Sequence, residues 1–529
     1  MASEVSGGGT YRTLDEQAEK LSPAEERFER ARRTIGLFLG PAVFLLMLVL
    51  PLGLEPEQQR LAAIFLFVII WWLTEAIPIP VTAVLGMCLC IALDAVPADS
   101  REDAPDVVFG AFASSTIFLF IGGFIIAMAM RVHGLDRRFA YFVLSLPGVA
   151  RSTHRTVIAF GLISLLLSAF ISNTAAAAML FPIGMGIVGT LSGLVADQAE
   201  GRNDPDRLRF ATALMLMIAY GASVGGLLTP IGSPPNLIGR QFIEDETGVR
   251  ITFFDWVVTA APIVICMFAA LCVILLLLNK PEVRELRGAE EYVREERDKL
   301  GTLSRGERNT LIAFGTAVTF WVLPGIIGLI AGDDSKLYDD VLQRADEGAV
   351  AIVAAALLFV LPIDWARRRF TLTWNEAAKI DWGTILLFGS GIVLGTLLAD
   401  TGLAEVVGNK LADALGVSDL LAITLLATVI AVLISETTSN TASVSIVVPI
   451  VIPIAAAAGV DPLIPALAAV FGASYGFMLP VSTPPNAIVY GSGMVPITKM
   501  VRSGIVFDLI GAVLIVFGVT LMAEAIGLA

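Results

Sequence analysis

Apolar residues recur in long runs, at 36–54, 60–78, 81–95, 113–130, 156–196, 208–238, 253–279, 309–331, 348–363, 383–400, 417–460, 463–490 and 503–528. The runs show no period-two alternation. Backbone polar groups in lipid must be paired within the segment, so the runs are predicted as helices. Arg27, Arg30, Arg32 and Arg33 precede the first run, which places the N-terminus on the cytoplasmic side, and Arg367, Arg368 and Arg369 mark another cytoplasmic turn.

Four runs depart from a simple span. The stretches 156–196 and 417–460 are too long for one helix, and each carries a polar cluster in its middle. The runs 113–130 and 383–400 contain Gly122-Gly123 and Gly389-Ser390-Gly391, and read as re-entrant hairpins turning at glycine. Such hairpins are tolerated at membrane depth only under protein or beside a cavity.

The irregularities come in pairs. Residues 168–183 read SAFISNTAAAAMLFPI and 435–450 read SETTSNTASVSIVVPI, an offset of 267. Downstream, GASVGGLLTPIGSPPNLI at 221–238 matches GASYGFMLPVSTPPNAI at 472–488 with a one-residue gap. Gly123 to Gly134 and Gly391 to Gly402 are each 11 residues apart, at an offset of 268. Three matched features in order make the chain two structural repeats. The domain reading is a polar cytoplasmic tail at 1–35, without a cleavable signal, a first membrane repeat at 36–279, a charged connecting arm at 280–308 and a second repeat at 309–529.

Composition agrees with this reading. Hydrophobic residues make up 56% of the 529 residues and charged ones only 16%, against about 25% charged in a soluble chain. The net charge of −14 disfavours a nucleic-acid partner. Two histidines, His133 and His154, exclude a histidine-rich zinc site and are expected in loops or at the membrane interface. Cys88, Cys90, Cys266 and Cys272 lie in apolar runs and are expected to be buried. Trp71 and Trp72 are expected to pack or anchor at the interface, and Arg240 to be a surface anchor, with attraction of anions as its alternative.

Ser-Asn-Thr inside an apolar run predicts a helix break, because these side chains compete with helical hydrogen bonds and favour caps. A helix restarting there presents free N–H groups and the positive end of its dipole, an arrangement that binds anions. Two such restarts suit a ligand with two negative groups. Unwound backbone also offers oxygens to a cation. Ser168 and Ser172 are one helical turn apart, as are Ser435 and Ser439, so each pair can face one point. Pro234-Pro235 and Pro484-Pro485 cannot continue a helix and leave the carbonyls of Gly232 and Ser482 near these elements. Repeats interrupted at matching positions point to a transporter's binding site. Glu75 and Glu436 are the acids closest to apolar segments; Glu436 could touch a cation or serve helix packing.

Ser172-Asn173-Thr174, Ser439-Asn440-Thr441, the turns 232–236 and 482–486, FLFIGGFIIAMAM at 118–130 and TEAIPIPVTAVL at 74–85 together resemble the divalent anion/sodium symporter family, which carries dicarboxylates, citrate or sulfate. The resemblance runs from about residue 36 to the end. It implies an all-α membrane protein of two inverted repeats, with about eleven transmembrane helices plus two re-entrant hairpins. It also implies a homodimer in the inner membrane, whose transport domain moves like an elevator against a scaffold. Carried over by position, one sodium ion sits with Ser168, Ser172, Asn173 and the Gly232 carbonyl, and a second with Ser435, Asn440 and the carbonyls of Thr438 and Ser482. The anion touches Ser172, Asn173, Thr174, Ser233, Ser439, Asn440, Thr441 and Thr483.

The implied function is sodium-coupled import of a C4-dicarboxylate such as succinate, malate or fumarate. The alternatives within transporters are sodium-independent dicarboxylate exchange, citrate or sulfate symport, and sodium/proton antiport. A passive anion channel does not need duplicated cation-type sites. An intramembrane serine hydrolase needs a base that neither motif supplies, so an enzyme is not expected.

Overall fold

The computed structural model describes residues 23–198, 208–286, 288–332, 335–415 and 419–525. Residues 1–22 of the expected tail lie outside it. The chain is helical almost throughout: α1 (Pro23–Val49), α2 (Pro56–Thr74), α3 (Ile79–Ala92), α4 (Ala104–Gly110), α5 (Ser115–His133), α6 (Leu135–Leu144), α7 (Thr153–Ser168), α8 (Asn173–Gln198), α9 (Arg209–Gly226), α10 (Pro234–Thr247), α11 (Phe253–Leu278) and α12 (Ala289–Lys299). It continues through α13 (Arg305–Ala331), α14 (Lys336–Arg344), α15 (Glu347–Val360), α16 (Trp374–Ala377), α17 (Trp382–Asp400), α18 (Leu403–Leu415), α19 (Leu420–Thr437), α20 (Asn440–Ala457), α21 (Leu463–Ala473), α22 (Pro484–Tyr490) and α23 (Ile497–Ala525). Two short antiparallel strands, β1 (Pro362–Asp364) and β2 (Arg369–Phe370), carry the arginine turn. Among the described residues, nine helices are long and apolar enough to cross a membrane, and six shorter apolar helices accompany them.

Local chemistry sets several of the starts. Thr252 with Asp255 and Ser304 with Glu307 form capping boxes at the heads of α11 and α13. The first helix begins at Pro23 and runs through the expected boundary at 35, because the charged stretch is itself helical. Arg32 and Arg33 at its polar end approach Glu75, beyond the end of α2, and Trp71 Nε1 donates to the Gly36 carbonyl. Both tryptophans are buried packing residues.

The glycine-rich runs are not hairpins turning at their glycines. Both α5 and α17 are continuous, with Gly122, Gly123, Gly389 and Gly391 inside them. Those glycines allow close approach: a β-carbon on Gly122 would stand 2.5 Å from Ala351 of α15, and one on Gly389 would stand 2.4 Å from the Phe112 ring. The chain turns later, at Gly134 and Gly402, both at positive φ. It then enters the amphipathic helices α6 and α18. Residues 289–299 of the charged arm form α12, which packs on α6 and α8.

The hairpins lie instead at the two Ser-Asn-Thr elements. A β-carbon on Gly184 of α8 would lie 3.6 Å from the Phe160 ring of α7. Two helices continuing end to end would separate those residues by roughly 36 Å, at 1.5 Å per residue. In the second repeat Ser443 Oγ donates to the Ala431 carbonyl at 2.8 Å, across the same kind of fold-back.

The packing repeats as well. α7 lies along α9, and α19 lies along α21. The repeats then interlock: α10 packs on α20 and α21, while α22 packs on α8 and α9. The helix after each Pro-Pro-Asn turn therefore leaves its own repeat for the other one. α11 and α23, which close the two repeats, pack against each other.

Candidate functional site

At the first hairpin tip, α7 ends at Ser168 and α8 restarts at Asn173. Ser172 caps the restart: its hydroxyl accepts from Ala175 N–H at 3.3 Å and its carbonyl from Ala176 N–H at 3.0 Å. The buried Ser168 hydroxyl donates to Asn173 Oδ1 at 2.6 Å. At the second tip, Ser439 Oγ accepts from Ala442 N–H at 3.1 Å, and Ser435 Oγ lies 2.8 Å from Asn440 Oδ1 and 2.7 Å from the Ala473 carbonyl. The Ser–Asn pairs are equivalent. Ser168 and Ser172, like Ser435 and Ser439, do not share one helical turn: they stand on opposite sides of a helix break, and the pairing across it is serine with asparagine.

Each Pro-Pro-Asn turn is held by its asparagine. Asn236 Nδ2 donates to the carbonyls of Gly226 at 2.7 Å and Thr229 at 2.8 Å. Asn486 Nδ2 donates to Gly476 and Leu479, both at 3.0 Å. Proline at the first helical positions leaves no unsatisfied donor there. Ser233 and Thr483 are the buried N-cap residues of α10 and α22, and the Thr483 hydroxyl accepts from Asn486 N–H at 3.3 Å.

Turn and tip touch in both repeats. The Thr229 hydroxyl donates to the Ala169 carbonyl. A β-carbon on Gly232 would stand 2.6 Å from the Gly226 carbonyl oxygen and 3.1 Å from those of Ser168 and Ala169. One on Gly226 would stand 2.4 Å from Asn173 Oδ1. Glycine at both positions keeps a ring of neutral oxygens open, the donor set a hard cation takes. In the second repeat a β-carbon on Gly476 would lie 3.2 Å from both the Ser435 carbonyl and hydroxyl oxygens and 3.1 Å from Ser482 Cβ. Of the predicted residues, Ser168, Asn173 and Gly232 thus gather at one point, with Ser172 capping beside them, and Ser435, Asn440 and Ser482 gather at another. Thr438 lies in the break between α19 and α20, its hydroxyl donating to Ile434. Thr174 and Thr441, half-buried, are the second residues of the restarted helices.

Glu436 is a structural tie. Its Oε1 accepts from the N–H groups of Phe477 at 2.5 Å and Met478 at 2.8 Å, and its Oε2 from Ser482 Oγ at 2.7 Å, binding the second turn to the second tip. Sequence reasoning missed Asn236, Asn486, Gly226 and Gly476. The signal was present in their matched positions, but their partners are set by the turns. Arg240 is not a surface anchor. It is buried, pairing with Glu244 at 3.0 Å and Glu347 at 2.7 Å, so it joins α10 to α15. Cys88 and Cys266 lie exposed on the bundle's flanks rather than buried.

Among the described residues, nine candidate spans and two polar helix breaks with hydroxyl, amide and carbonyl oxygens beside them are the features of a multi-pass membrane transporter. The sequence matches the family described as the sodium:sulfate symporter transmembrane region over residues 31–527, and the chain belongs to that family. It is 33% identical over 510 residues to the sodium-dependent dicarboxylate transporter SdcS of Staphylococcus aureus, covering 96% of this chain and 93% of the relative. It is 32% identical over 497 residues to SdcS of Staphylococcus saprophyticus, covering 93% and 92%. Among solved structures it is similar in fold to the Alcanivorax borkumensis YdaH transporter, at a TM-score of 0.53 and 15% identity, covering 90% of this chain and 99% of that one. The family and its named relatives are transporters, not enzymes.

Proposed function

We propose that the protein imports small divalent anions, C4-dicarboxylates such as succinate, malate and fumarate, coupled to sodium. The observation that carries this reading is the duplicated Ser–Asn pair at a helix restart, Ser168–Asn173 and Ser435–Asn440, each beside its Pro-Pro-Asn turn. One sodium ion sits with Ser168, Ser172, Asn173 and the Gly232 carbonyl, and the other with Ser435, Asn440 and the carbonyls of Thr438 and Ser482. The anion lies against Ser172, Asn173, Thr174, Ser233, Ser439, Asn440, Thr441 and Thr483, at the starts of α8, α10, α20 and α22. Helix N-termini and hydroxyl donors favour its carboxylates, and the sodium ions offset the charge that two carboxylates bring into a low-dielectric site. The names of the relatives support both sodium and dicarboxylate.

The mechanism in this reading is an elevator within a homodimer. The two repeats are inverted, and the two hairpins with the broken helices α9–α10 and α21–α22 travel as one body. The interlocking of α10 and α22 with the opposite repeat supports a rigid carrier for both half-sites. The test is uptake of radiolabelled succinate into liposomes under an inward sodium gradient, against a potassium control. Sodium-dependent accumulation, abolished by Asn173→Ala and by Asn440→Ala, is expected. Uptake that ignores sodium and requires internal dicarboxylate makes the protein an exchanger and removes the cation assignment. No succinate uptake in either condition moves the substrate to citrate or sulfate.

A further inference from the structure

Two neighbouring residues of α10 reach out of that helix in the same way. Arg240, 5% exposed, pairs with Glu244 of its own helix at 3.0 Å and with Glu347 of α15 at 2.7 Å. Gln241 donates through Nε2 to Asp245 of its own helix at 2.8 Å and accepts through Oε1 from the Thr116 hydroxyl of α5 at 2.6 Å. Each therefore has one partner four residues on, which goes wherever α10 goes, and one at the head of another helix. The outside partners belong together. α5 and α15 pack along each other, and Ser115, next to Thr116, donates to Asp346, next to Glu347, at 2.7 Å. Among the described residues α10 packs along α17, α20 and α21, and not along α5 or α15. Long side chains make the connection to that pair. The contact of α10 with α17 is apolar by contrast, its Phe242 ring filling the space beside Gly395. Apolar contact is non-directional and permits sliding, whereas hydrogen-bonded charges resist it.

We propose that Arg240 and Gln241 on one side, with Glu347 and Thr116 on the other, form a polar latch. It holds the moving body against the α5–α15 frame in the position of this structure and opens once in each transport cycle. This rests on the moving-carrier reading above. Separating a buried ion pair ordinarily strands a charge. Here neither half is stranded: Arg240 keeps Glu244 and Gln241 keeps Asp245. Glu347 is the first residue of α15, where the positive end of the helix dipole favours a carboxylate. A permanent tie needs one acid; the second, on α10 itself, keeps Arg240 paired when the first is released.

The experiment uses a protein carrying Cys88→Ala, Cys90→Ala, Cys266→Ala and Cys272→Ala. Thr116→Cys and Gln241→Cys are added together, and a mercuric ion bridges the two thiols across the space the shorter side chain leaves. Sodium-driven succinate uptake into liposomes is expected to stop on bridging and to return when excess thiol strips the mercury. The comparison pair, Ser115→Cys with Asp346→Cys, joins α5 to α15 within the frame, and its bridging should leave uptake unchanged. In a second measurement, Gln241→Cys alone is labelled in detergent with a bulky maleimide, which reaches the thiol when the latch is open. Glu347→Gln keeps the shape and the acceptor for Phe253 N–H but removes the charge. It should raise the labelling rate roughly 3- to 30-fold, the difference between a charged and a neutral hydrogen bond. If Glu347→Gln does not fold, Glu347→Asp, which shortens the reach, replaces it with the same expected direction. Uptake that continues in the bridged Thr116→Cys/Gln241→Cys protein, loss of uptake on bridging either pair alike, or an unchanged labelling rate overturns the latch. Absence of sodium-driven uptake in the wild type breaks the transport reading instead, and so is distinguishable.

Discussion

Gly226→Ala separates the proposed cation site from mere packing. The added β-carbon would stand 2.4 Å from Asn173 Oδ1 and 3.1 Å from its Cγ and Nδ2. Ordinary non-bonded carbon contacts begin near ~3.5 Å, so the amide must retreat by roughly 1 Å. An asparagine side-chain end can swing away, and the backbone need not move. The swing breaks the Ser168–Asn173 hydrogen bond, at a cost of about 0.5–1.5 kcal/mol, and withdraws an oxygen from the ion. A hydrogen-bond-like contact to a charge contributes about 1.5–3 kcal/mol, which corresponds to roughly 10- to 100-fold in sodium affinity. The expected result is a folded protein whose half-saturating sodium concentration for succinate uptake rises by that factor. Its melting temperature without sodium should fall by less than about 4 °C. Two controls frame it. At Gly315 no heavy atom lies within 4 Å of the added carbon, so Gly315→Ala should be silent. At Gly225 the carbon would meet the Leu165 backbone at 2.2 Å, so Gly225→Ala should fail to fold. A Gly226→Ala protein that is folded and keeps wild-type sodium dependence would refute the placement of Asn173 at the ion.

Asn486→Asp should destabilise the protein as much as Asn486→Ala, by roughly 2–4 kcal/mol in chemical unfolding, because a carboxylate cannot donate to the Gly476 and Leu479 carbonyls; a wild-type unfolding curve would contradict this. Arg240→Ala leaves the half-buried Glu244 and Glu347 without their cation. It should cost about 3–5 kcal/mol, and a thermal-unfolding loss below about 1 kcal/mol would show that water reaches the pair. Glu282 accepts from the N–H groups of Arg209 at 2.5 Å and Phe210 at 3.1 Å, so Glu282→Ala removes the cap of α9. The expected loss is about 0.5–2 kcal/mol, measured by unfolding, with the sodium dependence of transport unchanged.

The features legible in the sequence are those whose causes are local. Helix or strand was decided by apolar runs without alternation, in a chain that must satisfy its own backbone. The breaks at 169–172 and 438–439 were legible because serine, asparagine and threonine cap helices from their own positions. The restarts at Pro234 and Pro484 were legible because proline lacks an N–H. The pairing of Ser168 with Asn173 and of Ser435 with Asn440 lies within five residues, and their duplication is what made them candidates.

Where the chain goes after a break was not legible. Flexible glycines at 122–123 and 389–391 read as turns, yet they serve close packing against Ala351 and Phe112. The same freedom of glycine permits a turn or a tight helix contact, and the choice belongs to a distant partner. The fold-back at each Ser-Asn-Thr element shows only in contacts across it, of Gly184 with the Phe160 ring and of Ser443 with the Ala431 carbonyl, which the break itself does not spell out. Arg240 looked like a surface charge because its partner Glu347 is 107 residues away. Capping and ring closure act over a few residues and are written in order along the chain. Burial and charge pairing act through space, so they are decided when the two repeats interlock.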